Sequence, residues 1–367
     1  MKSSAPRSLP YSYFTLELTR SCNNACRHCY NFWRSGGRIE RSSDRPALSR
    51  AEIRSIVGRV ARDTPLEYVA VTGGEPFLRP DCAEIVGDLV DAGFKAIVIT
   101  NGALLTSSQL RRLPEGINFE VTLLGHTAAL HNRLAGAAVF DTILRNLIRI
   151  PRAGSRFVTT FVSTRLNALD VFRTYELAAA LGAGAIMYNR VNLSRGAKPY
   201  VAELVTPAGM LKESLTQLQD AVRKYKIPAV CSVPIPPCVV DVAVFPDLQF
   251  GWCPRGGRDA YYTVDPTGLL RPCNHSSVVL GDLRTQDFAE IVTSRKTRVF
   301  WEGTPTECAQ CRHPLKAQCR GGCPAAADEF YGRRLMDPFC RLARAAPGPP
   351  AQPAPEARAR RRAVTGR

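Results

Sequence analysis

Short apolar runs alternate with amphipathic stretches along the first two-thirds of the chain. The apolar runs are YFTLELT (13–19), YVAVTGG (68–74), KAIVITNG (95–102), NFEVTLLG (118–125), RFVTTFVST (156–164) and GAIMYNRVN (184–192). Most are rich in β-branched residues, and Gly, Asn or Thr bound them. That is the pattern of strands buried on both faces of a parallel sheet. The stretches between them carry helix signals. SRAEIRSIVGRVAR (49–62) opens on Ser49 with Glu52 three residues on, a capping box. DCAEIVGDLVDAG (81–93) starts on Asp81 and stops at Gly93. FDTILRNLIRI and DVFRTYELAAALG continue the rhythm. Such β–α units predict an α/β domain around a parallel sheet. A sheet curled around its substrate and a flat doubly wound sheet both satisfy the pattern. In either, ligands bind at the carboxyl ends of the strands.

The texture then changes. PAGMLKESLTQLQDAVRKYKI (207–227) predicts one long helix, and the Pro-rich VCSVPIPPCVVDVAVFPD (230–247) breaks the rhythm. Cys253, Cys273, Cys308, Cys311, Cys319, Cys323 and Cys340 follow. That density predicts a small domain stapled by metal, with a core organised by its ligands. Past residue 343 the chain is Pro, Ala and Arg with few large apolar side chains, which predicts disorder. The expected divisions are an extension over 1–12, the α/β core over 13–200, and a bridging helix with a Pro-rich linker over 201–250. The cysteine-rich domain spans 251–343 and the tail 344–367.

Composition narrows the class. No run of 18 apolar residues occurs and the N-terminus lacks the apolar core of a signal peptide, so no membrane association and a cytoplasmic location are expected. Thirteen cysteines in a reducing compartment ask for metal or redox chemistry rather than disulfides. The net charge of +17 taken alone suggests nucleic acid or an acidic partner. Six Arg and one Glu lie from Arg344 onward, so part of that charge belongs to the tail. Thiolates on metal subtract more, which weakens the case for nucleic acid.

Cys22, Cys26 and Cys29 are spaced C-x3-C-x2-C in the loop after the first strand. Three thiolates so close hold either zinc, with His28 or a distant residue as fourth ligand, or three irons of a cubane whose fourth iron stays open. Gly73-Gly74-Glu75-Pro76 ends the second strand and Asn101-Gly102 the third. The cysteine spacing, with the His28 ring before the last Cys, and the GGEP stretch resemble the radical S-adenosylmethionine (radical SAM) superfamily. The resemblance runs from about Tyr13 to Asn192.

This resemblance implies a partial (β/α)6 TIM-like barrel in which Cys22, Cys26 and Cys29 ligate a 4Fe–4S cluster. The open iron would chelate the amino nitrogen and carboxylate of S-adenosylmethionine. Gly73, Gly74 and Glu75, with Pro76 and His28, would form the cofactor site near the methionyl amine. An electron from the cluster would release a 5′-deoxyadenosyl radical that removes hydrogen from the substrate. A reductant such as a flavodoxin or ferredoxin would supply that electron. Asn101, Thr122 and Arg190 at strand ends are candidate contacts to ribose, adenine or carboxylate, as are Glu17 and Thr19 on the first strand.

The later cysteines, with Gly268 before Cys273 and RGGCPA at 320–325, resemble the SPASM extension of that superfamily. The gap of seven residues before Cys319 departs from its usual five. The resemblance implies two auxiliary 4Fe–4S clusters. Cys253, Cys273 and Cys323 would serve the inner one. Cys308, Cys311, Cys319 and Cys340 would serve the outer one. Cys238 or Cys231 is expected to complete the inner set, unless its iron stays open. YYTVDPTGLLRPC reads as a hairpin projecting Cys253 and Cys273 from neighbouring strands. Cys82, on an amphipathic helix, reads as a small buried hydrophobe.

The branch so resembled mostly modifies peptides or proteins, so a peptide maturase is expected. A small-molecule oxidase or epimerase and a zinc-dependent nucleic-acid-binding protein are the alternatives. Because few residues precede Cys22, a peptide substrate would need a separate leader-peptide-binding protein, or direct capture by the barrel and the basic surface. No catalytic base is assigned: Tyr188, His126 and His131 qualify only by type and location. His275 and His313, close to late cysteines, read equally as cluster neighbours or turn caps.

Overall fold

The computed structural model describes residues 9–35, 38–39, 45–332 and 335–346. All six apolar runs form strands: β1 Tyr13–Glu17, β2 Tyr68–Thr72, β3 Lys95–Thr100, β4 Asn118–Thr122, β5 Arg156–Ser163 and β6 Ile186–Arg190. They pair in parallel, each with the next in sequence. A doubly wound sheet reverses its strand order at a switch point. No reversal occurs here, so the curled alternative holds: a partial (β/α)6 barrel.

The connecting helices form where the signals place them. Helix α1 (Arg50–Asp63) is capped by the Ser49–Glu52 box and buries Ile53, Ile56, Val57 and Val60 against the sheet. Helices α2 (Cys82–Asp91), α3 (Ser107–Arg112), α4 (Ala128–Ala135), α5 (Phe140–Arg152) and α6 (Val171–Ala180) follow. Cys82 is buried in the core as a hydrophobe. The predicted long helix is α7, Ala208–Tyr225.

Two expectations change in the second part. The Pro-rich linker is not outside the sheet. Its ends form β7 (Ala229–Cys231), parallel to β6, and β8 (Gln249–Phe250), parallel to β7. Nor does the cysteine-rich region keep a core of its own. The hairpin β9 (Thr263–Val264) and β10 (Leu269–Arg271) turns at Asp265 and adds to the free edge of β1, and β11 (Gly281–Asp282) follows. One sheet of eleven strands results. Apolar side chains decide this: Tyr262, Val264, Leu270 and Phe288 join the barrel's own core cluster. Tyr11, in the expected N-terminal extension, packs edge-on against Tyr262 with ring centroids 5.0 Å apart. Helices α8 (Phe288–Thr293), α9 (Arg295–Trp301), α10 (Pro324–Tyr331) and α11 (Pro338–Ala345) follow among the described residues. Arg344 and Ala345, expected in the disordered tail, close α11 instead. The rest of that call, from 347 onward, lies outside the described residues.

Two ion pairs tie the later region to the barrel. Glu17 at the end of β1 accepts from Arg271 on β10, and Arg190 at the end of β6 donates to Asp337 before α11. Both pairs are essentially without solvent exposure. Among the described residues no helix is long and apolar enough to cross a membrane.

Candidate active site

The loop after β1 is held from three sides. Ala25 N–H donates to the Ala135 carbonyl at 2.9 Å, and Arg34 Nη2 donates to the Asn24 carbonyl at 2.6 Å. Ser194 Oγ donates to the Cys29 carbonyl at 3.2 Å. From β2, Gly74 N–H and Glu75 N–H donate to the carbonyls of Thr19 and Ser21, at 2.7 and 2.8 Å. The two glycines are needed for this approach. A Cβ on Gly73 would lie 2.5 Å from the Thr19 oxygen, and one on Gly74 2.1 Å from the Ser21 oxygen. The Gly73 carbonyl accepts from Asn31 Nδ2 at 3.1 Å. Gly-Gly is therefore first the seat of the cysteine loop.

That loop opens on a cavity of about 810 Å³. Cys22, Cys26, His28 and Cys29 line it, as do Gly73, Gly74, Asn101, Thr122 and Arg190. Burial pushes the Cys26 and Cys29 thiols up, so thiolates there call for positive charge. Burial holds the His28 ring down to about 4, hence neutral at pH 7.

Other candidates sit elsewhere. Glu75 is fully buried behind the wall and its carboxylate is largely spent. It accepts from Thr100 Oγ1 at 2.8 Å, Asn101 N–H at 2.9 Å and Phe77 N–H at 3.3 Å. Burial raises it to about 7. Pro76 begins a 3-10 turn beside it. Arg190 also gives Nε to the Pro234 carbonyl at 2.9 Å and stacks on Phe339. Glu17 is committed to Arg271, and the Thr19 hydroxyl accepts from Ser21 N–H at 3.1 Å. Tyr188 points away from the cavity to Ser214 Oγ, 2.9 Å distant. His126 sits 3.6 Å from Asp170 Oδ1. His131 reaches the cavity wall, but its Nδ1 accepts from Leu124 N–H at 3.2 Å.

The later thiols divide unequally. Cys253, Cys273 and Cys323 line the same large cavity as the first three. Cys253 stands on the loop before the hairpin rather than on one of its strands. Cys308, Cys311, Cys319 and Cys340 line a separate small pocket, and Cys238 lines it with them. Cys238 thus adjoins the outer set and not the inner. Cys231 is buried on β7 and reaches neither. His275 lines the large cavity, its ring 4.4 Å from that of Tyr30 and its Nδ1 against Asn192 Nδ2. His313 Nδ1 accepts from Leu315 N–H at 3.1 Å, a turn contact. Among the described residues no three His, Cys, Asp or Glu side chains converge on a single metal ion. The thiol sets ring open volumes instead.

Sequence reasoning missed Glu120, Tyr30 and Asn192. Glu120 faces the cavity from β4, its Oε1 accepting from Thr160 Oγ1 at 2.6 Å, and burial raises its carboxyl. The alternation in NFEVT was the available signal. Asn118, Glu120 and Thr122 line the cavity from one strand, two residues apart.

Sequence profiles match this chain twice: the radical SAM superfamily over residues 16–178, and the SPASM iron–sulfur cluster-binding domain over 253–321. The chain belongs to the radical SAM superfamily and carries a C-terminal SPASM domain. It is an enzyme whose cofactors are 4Fe–4S clusters and S-adenosylmethionine. It is 29% identical to the AdoMet-dependent heme synthase of Methanosarcina barkeri, over 92% of this chain and 96% of that one. It is 35% identical to the mycofactocin maturase MftC of Mycobacterium tuberculosis, over 46% of this chain and 42% of the relative. In fold it resembles Streptococcus suis SuiB bound to precursor peptide SuiA. The TM-score is 0.71 at 14% identity, covering 90% of this chain and 76% of the other. A zinc-dependent nucleic-acid-binding protein, the other class open to the sequence, is not what these profiles match.

The residues fit such cofactors. Asn24 Oδ1, His28 Nδ1, Asn31 Oδ1 and Asn192 Oδ1 are buried without a partner. These four residues line the large cavity, which leaves unspent hydrogen-bonding capacity for a polar occupant. Thiols around an open volume suit a cluster several ångströms across.

Proposed function

We propose that this enzyme removes hydrogen from an unactivated C–H of a peptide or protein substrate in a post-translational modification. The observation supporting this is the single cavity lined by Cys22, Cys26 and Cys29 and also by Cys253, Cys273 and Cys323. In this reading the first three thiols hold the cofactor-binding cluster, and the second three hold an auxiliary cluster beside the substrate. When bound and reduced, the cluster and S-adenosylmethionine supply a 5′-deoxyadenosyl radical as hydrogen acceptor.

The protein's own residues do the rest. Gly73 and Gly74 hold the loop against β2, and Glu75 fixes the Thr100–Asn101 strand end through its three accepted bonds. His28, Asn101 and Thr122 line the cofactor end. Glu120 offers a carboxylate in the barrel interior for a substrate N–H or O–H. Burial keeps the nearby Tyr13 and Tyr30 phenols protonated, so they act as neutral hydrogen-bonding groups.

A peptide suits this lining. Its polar groups are largely neutral amides, hydroxyls and rings. Of its three cations, Arg190 is paired with Asp337, Arg34 donates to the Asn24 carbonyl, and Arg156 at the start of β5 is the one left exposed. A polyanionic small molecule would want several uncommitted cations. A second reading has its own support: the relative aligned over nearly the whole chain is named a heme synthase, so a heme precursor is the small-molecule alternative. A separate leader-binding protein and a flavodoxin or ferredoxin reductant complete the proposal.

Deuterium transfer tests it without knowledge of the substrate. Anaerobic enzyme with S-adenosylmethionine and dithionite is given extract from deuterium-grown cells of the source organism. Deuterated 5′-deoxyadenosine should form with the peptide fraction and disappear after protease digestion. Transfer only from a protease-resistant small-molecule fraction would overturn the peptide assignment.

A further inference from the structure

The large cavity does not stop at the cysteine loop. Along β5 it is lined by Arg156, Val158, Thr160 and Val162, so it follows the inner face of that strand from its first residue almost to its last. At a rise of about 3.3 Å per residue, that run spans roughly 20 Å. On β4 the lining likewise runs from Asn118, the first residue, to Thr122, the last. Thr122 and Val162 lie toward the cysteine loop. Asn118 and Arg156 pair in register at the opposite, amino-terminal end of the strands, and both are exposed there. Tyr13 and Tyr68, which begin β1 and β2, line the cavity at that same end. The Tyr261 ring stands beside them, 5.8 Å from that of Tyr13. The barrel interior therefore has a second mouth, away from the cysteine loop.

One cation stands in that mouth. Arg34 is held in the cysteine loop and Arg190 is paired at the carboxyl end of β6. Among the described residues the Arg156 guanidinium makes no hydrogen bond or ion pair. The acids on the strands around it are engaged elsewhere. Glu67, just before β2, pairs with Lys95, and Glu120, two residues beyond Asn118, accepts from Thr160.

Resting on the reading that this cavity takes a peptide substrate, we propose that Arg156 anchors that substrate by a carboxylate, at its C-terminus or on an Asp or Glu side chain. The planar fork of N–H donors fits a carboxylate in two parallel hydrogen bonds. One free cation matches one carboxylate, not a polyanion. From the anchor the peptide runs up the barrel past Glu120 to the cofactor end. An extended chain covers about 20 Å in roughly six residues. The C–H that loses hydrogen therefore lies about that far along the chain from the carboxylate. Arg156 touches neither the thiols nor the reacting atoms; it sets which residue of the substrate arrives there.

A cycle with one change on each partner tests this. Wild type, Arg156→Gln and Arg156→Lys are prepared anaerobically with iron and sulfide and given S-adenosylmethionine and dithionite. Each receives limiting amounts of the peptide fraction from deuterium-grown cells, either untreated or with its carboxylates converted to methylamides. The readout is the fraction of 5′-deoxyadenosine that carries deuterium, a ratio independent of how much protein folds or holds cluster. Wild type should prefer the untreated fraction by about tenfold or more. Arg156→Gln should use both fractions alike, at the lower level, and Arg156→Lys should keep part of the preference. Wild type indifferent to the methylamides, or Arg156→Gln with the wild-type preference, overturns the anchor. Deuterium that comes only from a protease-resistant small-molecule fraction overturns the peptide reading instead, and the same cycle on that fraction decides whether Arg156 binds its carboxylate. No transfer from any fraction overturns both.

Discussion

The barrel and the cysteine-rich region reach order by different means. Barrel strands run five to eight residues, and Phe14, Val69, Val71, Val98 and Val121 on them are fully buried. Each such side chain contributes about 1.5–3 kcal/mol by leaving water. The later strands β9, β10 and β11 are only two or three residues long. Around Cys323 the apolar packing is a satellite of Ala325 and Ala326, with Cys273 against it. What holds this end otherwise is the edge of β1, two buried ion pairs and the side chains it lends to the barrel's core, among them Tyr262, Leu270, Phe288 and Phe339. The barrel is thus a scaffold that apolar burial completes, and the extension borrows the barrel's core and keeps only a small satellite around its thiols.

Four measurements would break or sharpen that contrast. The largest effect is expected from Cys29→Ser. It should abolish reductive cleavage of S-adenosylmethionine and remove about a third of the iron. Far-UV circular dichroism should stay at the wild-type level, since no barrel strand depends on the thiol. Retained cleavage, or a collapsed spectrum, would contradict the division. Next comes metal removal. Chelation after oxidative cluster breakdown should expose the region after residue 250 to limited proteolysis while a fragment containing β1–β6 survives. Equal digestion of both parts would contradict it.

A smaller effect follows from the joints. Arg271→Met leaves Glu17 buried without its partner, a loss of about 3–5 kcal/mol. Thermal unfolding should register it, and Glu17→Gln/Arg271→Met should recover part of it. The smallest effect concerns Glu75. Burial raises its folded pKa to about 7, above its ordinary value of 4.5. The folded state therefore binds the extra proton between those values. Its contribution is fully present below about 4.5 and is lost as pH rises through about 7. Glu75→Gln should flatten the stability profile across that window; an unchanged slope would count against the raised pKa.

Much of this was legible in the chain. Six β-branched runs placed six strands, and C-x3-C-x2-C pointed to the loop after β1; that the two glycines of GGEP seat this loop shows only in the structure. Two strands in the Pro-rich stretch were not legible. Ala229–Cys231 is too short to show a period, and it forms because β6 offers a free edge. The fate of Glu75 and Arg190 was hidden as well. Residue type suggests ligand contact, but their partners are Thr100 and Asn101 for one and Asp337 for the other. The grouping of Cys238 depends on how the chain returns after α7, which spacing does not encode. Glu120 was readable from alternation, yet only the curl of the sheet made its face an interior.

The most direct test of the account is electron–nuclear double resonance on the reduced enzyme with S-adenosylmethionine labelled by nitrogen-15 at its amino group. The Cys253, Cys273, Cys308 and Cys311 positions are replaced by alanine so that only the first cluster contributes. The account predicts a nitrogen-15 hyperfine coupling large enough to require direct iron ligation, and its disappearance in Cys29→Ser. A cluster signal that shows no such coupling with the cofactor present would contradict it.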